Sequence, residues 1–391
     1  MHTLPTQTTP MGSPSGERPL AERDIAIDYL RAFVIVLVVF LHAALAYASF
    51  SRYNPLRWVE ATAPVVDAAR WPLLDPLILF LDSFAMPLLV LVSGLFAISS
   101  LERKGSRRFL LGRWQRLGIP FIVAAIFISP LAFAPGYIMA FPKSATPYLI
   151  RFYTSDGWPV GAPWFLWVLL ALNGLLVLAH RFAPTALAKV RRHPSNFVIW
   201  LATVASFVPL RLLGSQYWWV SFGPFDVEPI RLGLYVAYFF LGVALGTGEG
   251  WRKPGWPKHW EYWLVAGVLS FVVYTFLNGG ATLLSGLVAQ VLLALTWATS
   301  CTGTSLGLLG AFRTFARTRR PVLDDLSTNS FGIYLIHYPA VHWIQFALFF
   351  TALPAWIKLL IAFVGGTGLS WGMSALIRRI PCQRSQTQAR R

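Results

Sequence analysis

Long apolar runs, broken by short polar and basic stretches, recur along the whole chain. Ten of them fall at 27–50, 77–99, 117–141, 163–180, 196–213, 229–247, 260–278, 281–301, 330–350 and 355–377. Each is close to the ~20 residues that a helix needs to cross a ~30 Å hydrocarbon core. The pattern predicts an all-α polytopic membrane protein with about ten transmembrane helices. It has no soluble unit longer than a loop and no internal repeat. The first run begins near Ile25 and is long enough to remain as a helix. Residues 1–24 are rich in Thr, Pro, Ser and Gly and hold no apolar core, so they read as a flexible tail and not as a signal peptide. The expected organisation is that tail, a ten-helix domain over 25–378, and a basic tail over 379–391.

Composition agrees with the pattern. The chain is 56% hydrophobic and only 13% charged, against about 25% charged in ordinary soluble domains. The net charge of +17 would suit nucleic acid, but its distribution follows the loops. With the amino terminus in the cytoplasm, 25 of the 33 Lys and Arg residues fall on the inner side. The remaining eight are Arg52, Arg57, Arg70, Lys143, Arg151, Arg211, Arg231 and Lys358. That is the asymmetry of the positive-inside rule, with both termini cytoplasmic. The charge therefore excludes a nucleic-acid partner and leaves membrane lipids as one, since basic inner loops attract anionic headgroups. Cys301 and Cys382 form no metal or redox motif. No P-loop, dinucleotide glycine motif or HExxH occurs.

The first span, "DYLRAFVIVLVVFLHAALAY" (28–47), carries Arg31 and His42 eleven positions apart. At ~100° per residue that is three turns plus about 20°, so the two share a helix face, roughly 16 Å apart along the axis. Arg31 then lies at the inner interface and His42 near the midplane. Arg31 taken alone is also a topological anchor, and His42 alone is also a core histidine satisfied by a neighbour. An ionisable group at that depth is nevertheless expensive, and imidazole is the side chain best suited to move a proton near neutral pH. Asp28, three residues before Arg31, is placed either to hold the guanidinium in one rotamer or to fray at the interface. Asp82 falls inside the second span, either paired with a cation such as His42 or protonated. Ser93 reads as a small packing residue, and Gly368 with Gly372 as a small-xxx-small helix contact. The outer segment "QYWWVSFGPFDVEPIR" (216–231) reads either as an interfacial aromatic belt or as stacked rings and acids that hold a sugar.

Arginine, ten residues, then histidine in the first span resembles the membrane-bound acyltransferase-3 family, whose members O-acylate sugars and related envelope molecules. "MPLLVLVSGLFA" (86–97) is similar to that family's second span, which ends in a serine-glycine pair. "GRWQRLGIPF" (112–121) is similar to its basic entry to the third. "APWFLWVLLALN" (162–173), "YFFLGVALG" (238–246) and "NSFGIYLIHYP" (329–339) resemble later spans. Within the family, "IDYLRAF" and "RLGIPF" are nearest to the periplasmic glucan succinyltransferases. Leu, Leu, Val, Leu and Val occupy 88–92, where the family often has aromatics.

The resemblance implies an acyltransferase of the plasma (inner) membrane. Its donor is acetyl- or succinyl-coenzyme A from the cytoplasm, a substrate and not a tightly bound cofactor. Its acceptor is an envelope glycan or glycolipid hydroxyl. It marks His42 and Arg31 as catalytic, and His337 as the histidine that orients the thioester or relays a proton. Arg113 and Arg116 become a pair for the coenzyme A phosphates, which guanidinium groups grip bidentately; they also read as inner-loop topology charges. His342, five residues after His337, does not share its face. The rival reading is a proton-coupled transporter or exporter, which buried titratable groups also fit.

Overall fold

The computed structural model describes residues 24–142, 146–154, 158–185, 187, 194–248, 250–252, 255–279 and 286–379. The two expected tails lie outside the described residues, apart from Asp24 and Arg379. So does the start of the expected span 281–301. Asp24 opens α1 (Ile25–Leu45) by accepting the Ile27 amide at 3.2 Å, an N-cap for a donor without an intrahelical partner. There follow α2 (Leu74–Leu95), α3 (Ala97–Lys104), α4 (Ser106–Ala140), α5 (Tyr148–Thr154), α6 (Trp164–Phe182) and α7 (Asn196–Leu213). A hairpin of β1 (Val220–Phe222) and β2 (Phe225–Val227) leads into α8 (Pro229–Gly246). The chain ends with α9 (Trp260–Gly279), α10 (Gly286–Phe315), α11 (Pro321–Phe349) and α12 (Ala355–Arg379).

Nine helical segments among the described residues are long and apolar enough to cross a membrane, with α2 and α3 counted together. The chain is an all-α multi-pass membrane protein. The helix missing from the nine is α11, where a tenth span is expected at 330–350. It has ample length at 29 residues. Its apolarity is diluted by Asn329, Ser330, His337, His342 and Gln345, all of them buried. The polar groups that lower its hydropathy face protein and not lipid.

α4 also differs from expectation. It starts at Ser106, well before the predicted entry at 117, and runs 35 residues to Ala140. Two π-helical turns, Trp114–Gly118 and Ala124–Ile128, interrupt it. At ~1.5 Å per residue it spans about 50 Å, more than a ~30 Å core, so one end projects beyond it. The stretch expected as a basic inner loop is therefore helix.

α1 stands in the centre, against α2, α10, α11 and α12. Leu30, Val34, Val39, Ala43 and Ala44 are fully buried, while α7, α9 and α12 bury few of their apolar residues. α2 and α8 meet backbone to backbone. A Cβ on Gly94 would strike the Phe239 carbonyl, and one on Gly242 the Leu91 carbonyl, the close approach that small residues permit between membrane helices. The expected contact at Gly368 and Gly372 is not made: among the described residues nothing lies near a Cβ on either, and Gly366 meets Val341 instead. Between α1 and α2 the connection folds back on the bundle end, where Lys358 of α12 pairs with Asp67 at 2.7 Å, both buried.

Candidate active site

α1 is unbroken from Ile25 to Leu45, so the eleven-residue spacing of Arg31 and His42 survives in the fold. At the basic end, Arg31 Nη2 lies 3.6 Å from Asp28 Oδ1, with the Arg31 side chain 43% exposed. The expected Asp28–Arg31 neighbours do meet. Arg31 Nε is buried with no hydrogen-bond partner among the described residues.

His42 meets α11. Its Nδ1 is 2.9 Å from the Val38 carbonyl and 3.2 Å from His337 Nε2. His337 Nδ1 is in turn 2.7 Å from the Tyr334 carbonyl. A carbonyl only accepts, so each Nδ1 carries the proton, and His337 Nε2 is left as an acceptor for His42 Nδ1–H. The network fixes both tautomers. It leaves the Nε2 lone pair of His42 without a protein partner among the described residues, on a ring that is half-buried.

The surroundings are aromatic. The Tyr338 ring stands edge-on to His42, centroids 5.1 Å apart, and edge-on to His342 at 4.2 Å. His342 is fully buried, with neither nitrogen hydrogen-bonded among the described residues. The segment before α6 straps this cluster down. Tyr334 donates its hydroxyl to the Ala162 carbonyl, and Ser129 donates to the Val160 carbonyl at 2.7 Å. Gly161 has φ 63°, and a Cβ there would run into the Tyr338 ring. Only glycine suits both the left-handed backbone and the close approach. Two turns further along α11, Gln345 donates to the Ala43 carbonyl at 2.9 Å and tethers the same two helices.

Asp82 has a cation partner, but not His42. Arg231 of α8 grips it bidentately, Nη1–Oδ1 at 3.0 Å and Nη2–Oδ2 at 2.5 Å. Arg231 also lies 3.4 Å from Glu228 and between the rings of Tyr217 and Trp297. The reason is depth. Asp82 and Arg231 are both inside the bundle, where an unpaired charge is costly, so each satisfies the other. Asp82 acts on His42 only through space. Two acids share one arginine, and burial pushes the Glu228 carboxyl up to about 7. Arg231 and the Tyr235 hydroxyl oppose that rise, and Asp82 adds to it.

Arg113 and Arg116 are on α4, close enough to repel each other, with no carboxylate in ion-pair distance among the described residues. The Arg113 guanidinium sits over the Phe109 ring at 5.0 Å. This half of α4 packs on α6, whereas the later half packs on α11. The fold thus joins His42 with His337 and Arg31 with Asp28, and holds Arg113 and Arg116 on a separate helix.

Sequence reasoning missed Arg231, which it counted as an outer helix-end cation. An arginine this close to a long apolar run is itself a sign of a buried partner. It also missed Tyr334 and Tyr338, which periodicity does not separate from ordinary aromatic packing. The chain matches no curated protein and no solved structure. A family profile described as an acyltransferase domain matches residues 24–375, which takes in α1 with its Arg31 and His42 and nearly all of α12. The chain belongs to the acyltransferase-3 family and is an integral membrane acyltransferase.

Proposed function

We propose that this enzyme moves an acetyl or succinyl group from cytoplasmic acyl-coenzyme A to a hydroxyl of an envelope carbohydrate. Both termini then lie in the cytoplasm, the membrane is the plasma (inner) membrane, and the acceptor arrives from the opposite side. The observation that carries this reading is the free Nε2 lone pair of His42, with Nδ1 tied to Val38 and His337.

His42 Nε2 takes the acceptor's hydroxyl proton as the oxygen attacks the thioester carbonyl. The new C–O bond forms, the C–S bond breaks, and the imidazolium returns its proton to the departing thiolate. While His42 is charged, the Val38 carbonyl and His337 Nε2 accept from Nδ1–H and hold the ring. Tyr338 and the strap keep bulk water away from it. Arg31 lies about 16 Å down the same face, too far to touch the reacting carbonyl. Its planar fork instead suits the anionic end of the donor, which the extended pantetheine arm separates from the thioester. Arg113 and Arg116 offer further guanidinium groups to the donor phosphates. Proton-coupled transport has less support, because the buried Arg231 is paired with Asp82 and the buried Lys358 with Asp67, and the chain has no repeat.

The test is label transfer from radiolabelled acetyl- and succinyl-coenzyme A to membrane carbohydrate. Membranes with wild-type protein are compared with membranes carrying His42→Ala. Transfer that falls by about 10²–10⁴ in the variant, the span of general-base catalysis, is the expected result. Equal transfer from both, with the variant folded, would sink the mechanism.

A further inference from the structure

The hairpin before α8 places a carboxylate that the mechanism above does not use. Asp226 is on β2, paired in register with Ser221 of β1. Its Oδ2 accepts the Val160 amide at 3.3 Å, and its backbone carbonyl accepts the Trp167 indole N–H at 2.9 Å. Its Oδ1 is buried with no hydrogen-bond partner among the described residues. Burial raises the Asp226 carboxyl above the usual range, an effect that Ser221 and the Val160 amide only partly offset.

Position gives this oxygen its meaning. Val160, which holds Oδ2, is the residue before Gly161, and Gly161 abuts the Tyr338 ring. Tyr338 is edge-on to His42 at 5.1 Å, and the Asp226 carboxylate acts electrostatically on Tyr338. The carboxylate is therefore one strap away from the lone pair of His42. The same hairpin segment exposes Trp218 and Trp219, 55% and 43% accessible, and Trp164 of α6 stands edge-on to Trp219 at 5.2 Å. An interfacial aromatic belt would account for exposed rings. It does not account for Asp226 Oδ1, which is kept from water and makes no hydrogen bond among the described residues, a state that costs free energy unless a ligand supplies the missing bond. A pyranose has both matching halves: an apolar C–H face for an indole and a rim of hydroxyl donors for a carboxylate.

We infer that the hairpin is a saccharide clamp, in which Trp218 and Trp219 stack on the acceptor and Asp226 Oδ1 accepts one of its hydroxyls beside His42. This rests on the acyl-transfer reading for its role but not for its binding. Asp226 is a positioning residue here, and its loss should weaken acceptor binding more than chemistry.

The experiment uses full-length protein in nanodiscs with cellobiose, laminaribiose and maltose as probes, read by saturation-transfer NMR. Four proteins are compared: wild type, Asp226→Asn, Trp218→Ala and His42→Ala. Asparagine retains an oxygen for the Val160 amide, and Trp218 is too exposed for its loss to unfold the hairpin. At least one disaccharide is expected to bind wild type. Asp226→Asn should bind it about tenfold more weakly, the size of one hydrogen bond to a charged group, and Trp218→Ala should also bind more weakly. With that sugar as acceptor, Asp226→Asn should raise KM about tenfold and leave kcat within about threefold, and Asp226→Glu should restore part of the loss. No saccharide binding to wild type, or binding and KM unchanged in Asp226→Asn, overturns the clamp. Asp226-dependent binding without any acyl transfer would keep the clamp and overturn the proposed reaction. His42-dependent transfer that ignores Asp226 and Trp218 would do the reverse.

Discussion

His337→Phe separates a histidine that supports the base from one that only fills space. The phenyl ring keeps the volume of a fully buried side chain and removes both nitrogens. The lost contacts are the 2.7 Å bond to the Tyr334 carbonyl, which is local to α11, and the 3.2 Å bond to His42 Nδ1. In the resting enzyme the second joins two neutral rings and is worth about 0.5–1.5 kcal/mol. When His42 has taken the acceptor's proton, the donor is an imidazolium and the bond is worth about 1.5–3 kcal/mol. Only the difference, roughly 1–1.5 kcal/mol, appears in the barrier, because the Val38 carbonyl still holds Nδ1–H at 2.9 Å. That is about a 5- to 15-fold loss in kcat. The assay is the initial rate of thiol release from acyl-coenzyme A with a saturating acceptor. In a His42→Ala background the same substitution should cost nothing further, since the two act as one unit. Full kcat in His337→Phe, or an equal loss in the His42→Ala background, would refute the argument.

Arg31→Lys keeps the charge but loses the planar fork. It should raise KM for acyl-coenzyme A severalfold with little change in acceptor KM, and unchanged donor kinetics would leave Arg31 only a topological role. Arg231→Met strands Asp82 and Glu228 and should destabilise by about 3–5 kcal/mol, read as Tm in detergent. Asp82→Asn should cost less, because Glu228 still lies 3.4 Å from Arg231; the reverse order would contradict the network. Glu228 titrates about 7 in the fold against an ordinary 4.5. Between those values the folded state binds more protons than the unfolded one, so stability falls as pH rises through that window and levels off above it. Glu228→Gln should therefore raise Tm relative to wild type at pH 8 and not at pH 4; a gain of equal size at both would refute the assignment.

Much of α1 was legible because its face is set by one period. An unbroken helix must bring residues eleven apart to the same side, and Asp28 and Arg31 are local neighbours. His337 was reached through resemblance alone, since no spacing rule links positions 295 apart. Asp82 was recognised as needing a cation, but its partner is 149 residues away. Local pattern carries no information about which buried charge meets which. The π turns of α4 were invisible for a different reason: they change the hydrogen-bond ladder and not the apolar pattern. The hairpin did have a signal. "VSFGPFDV" is two short runs around Gly-Pro, and Gly223 takes the positive φ of 57° that such a tight turn needs. The aromatic richness of the segment drew attention away from it.

The polarity of α11 has a consequence for how the protein is made. A translocon sorts each emerging segment by its own apolarity, and α11 carries two histidines, an asparagine and a glutamine where its neighbours carry hydrocarbon. α12 follows after only five residues, 350–354, and packs along α11, so the pair is suited to enter the bilayer as a hairpin. α1, synthesised well before α11, keeps the His42 face without its α11 partner until that hairpin arrives. The two imidazoles meet only after α11 is inserted, and no nascent chain that stops short of it contains a finished proton acceptor.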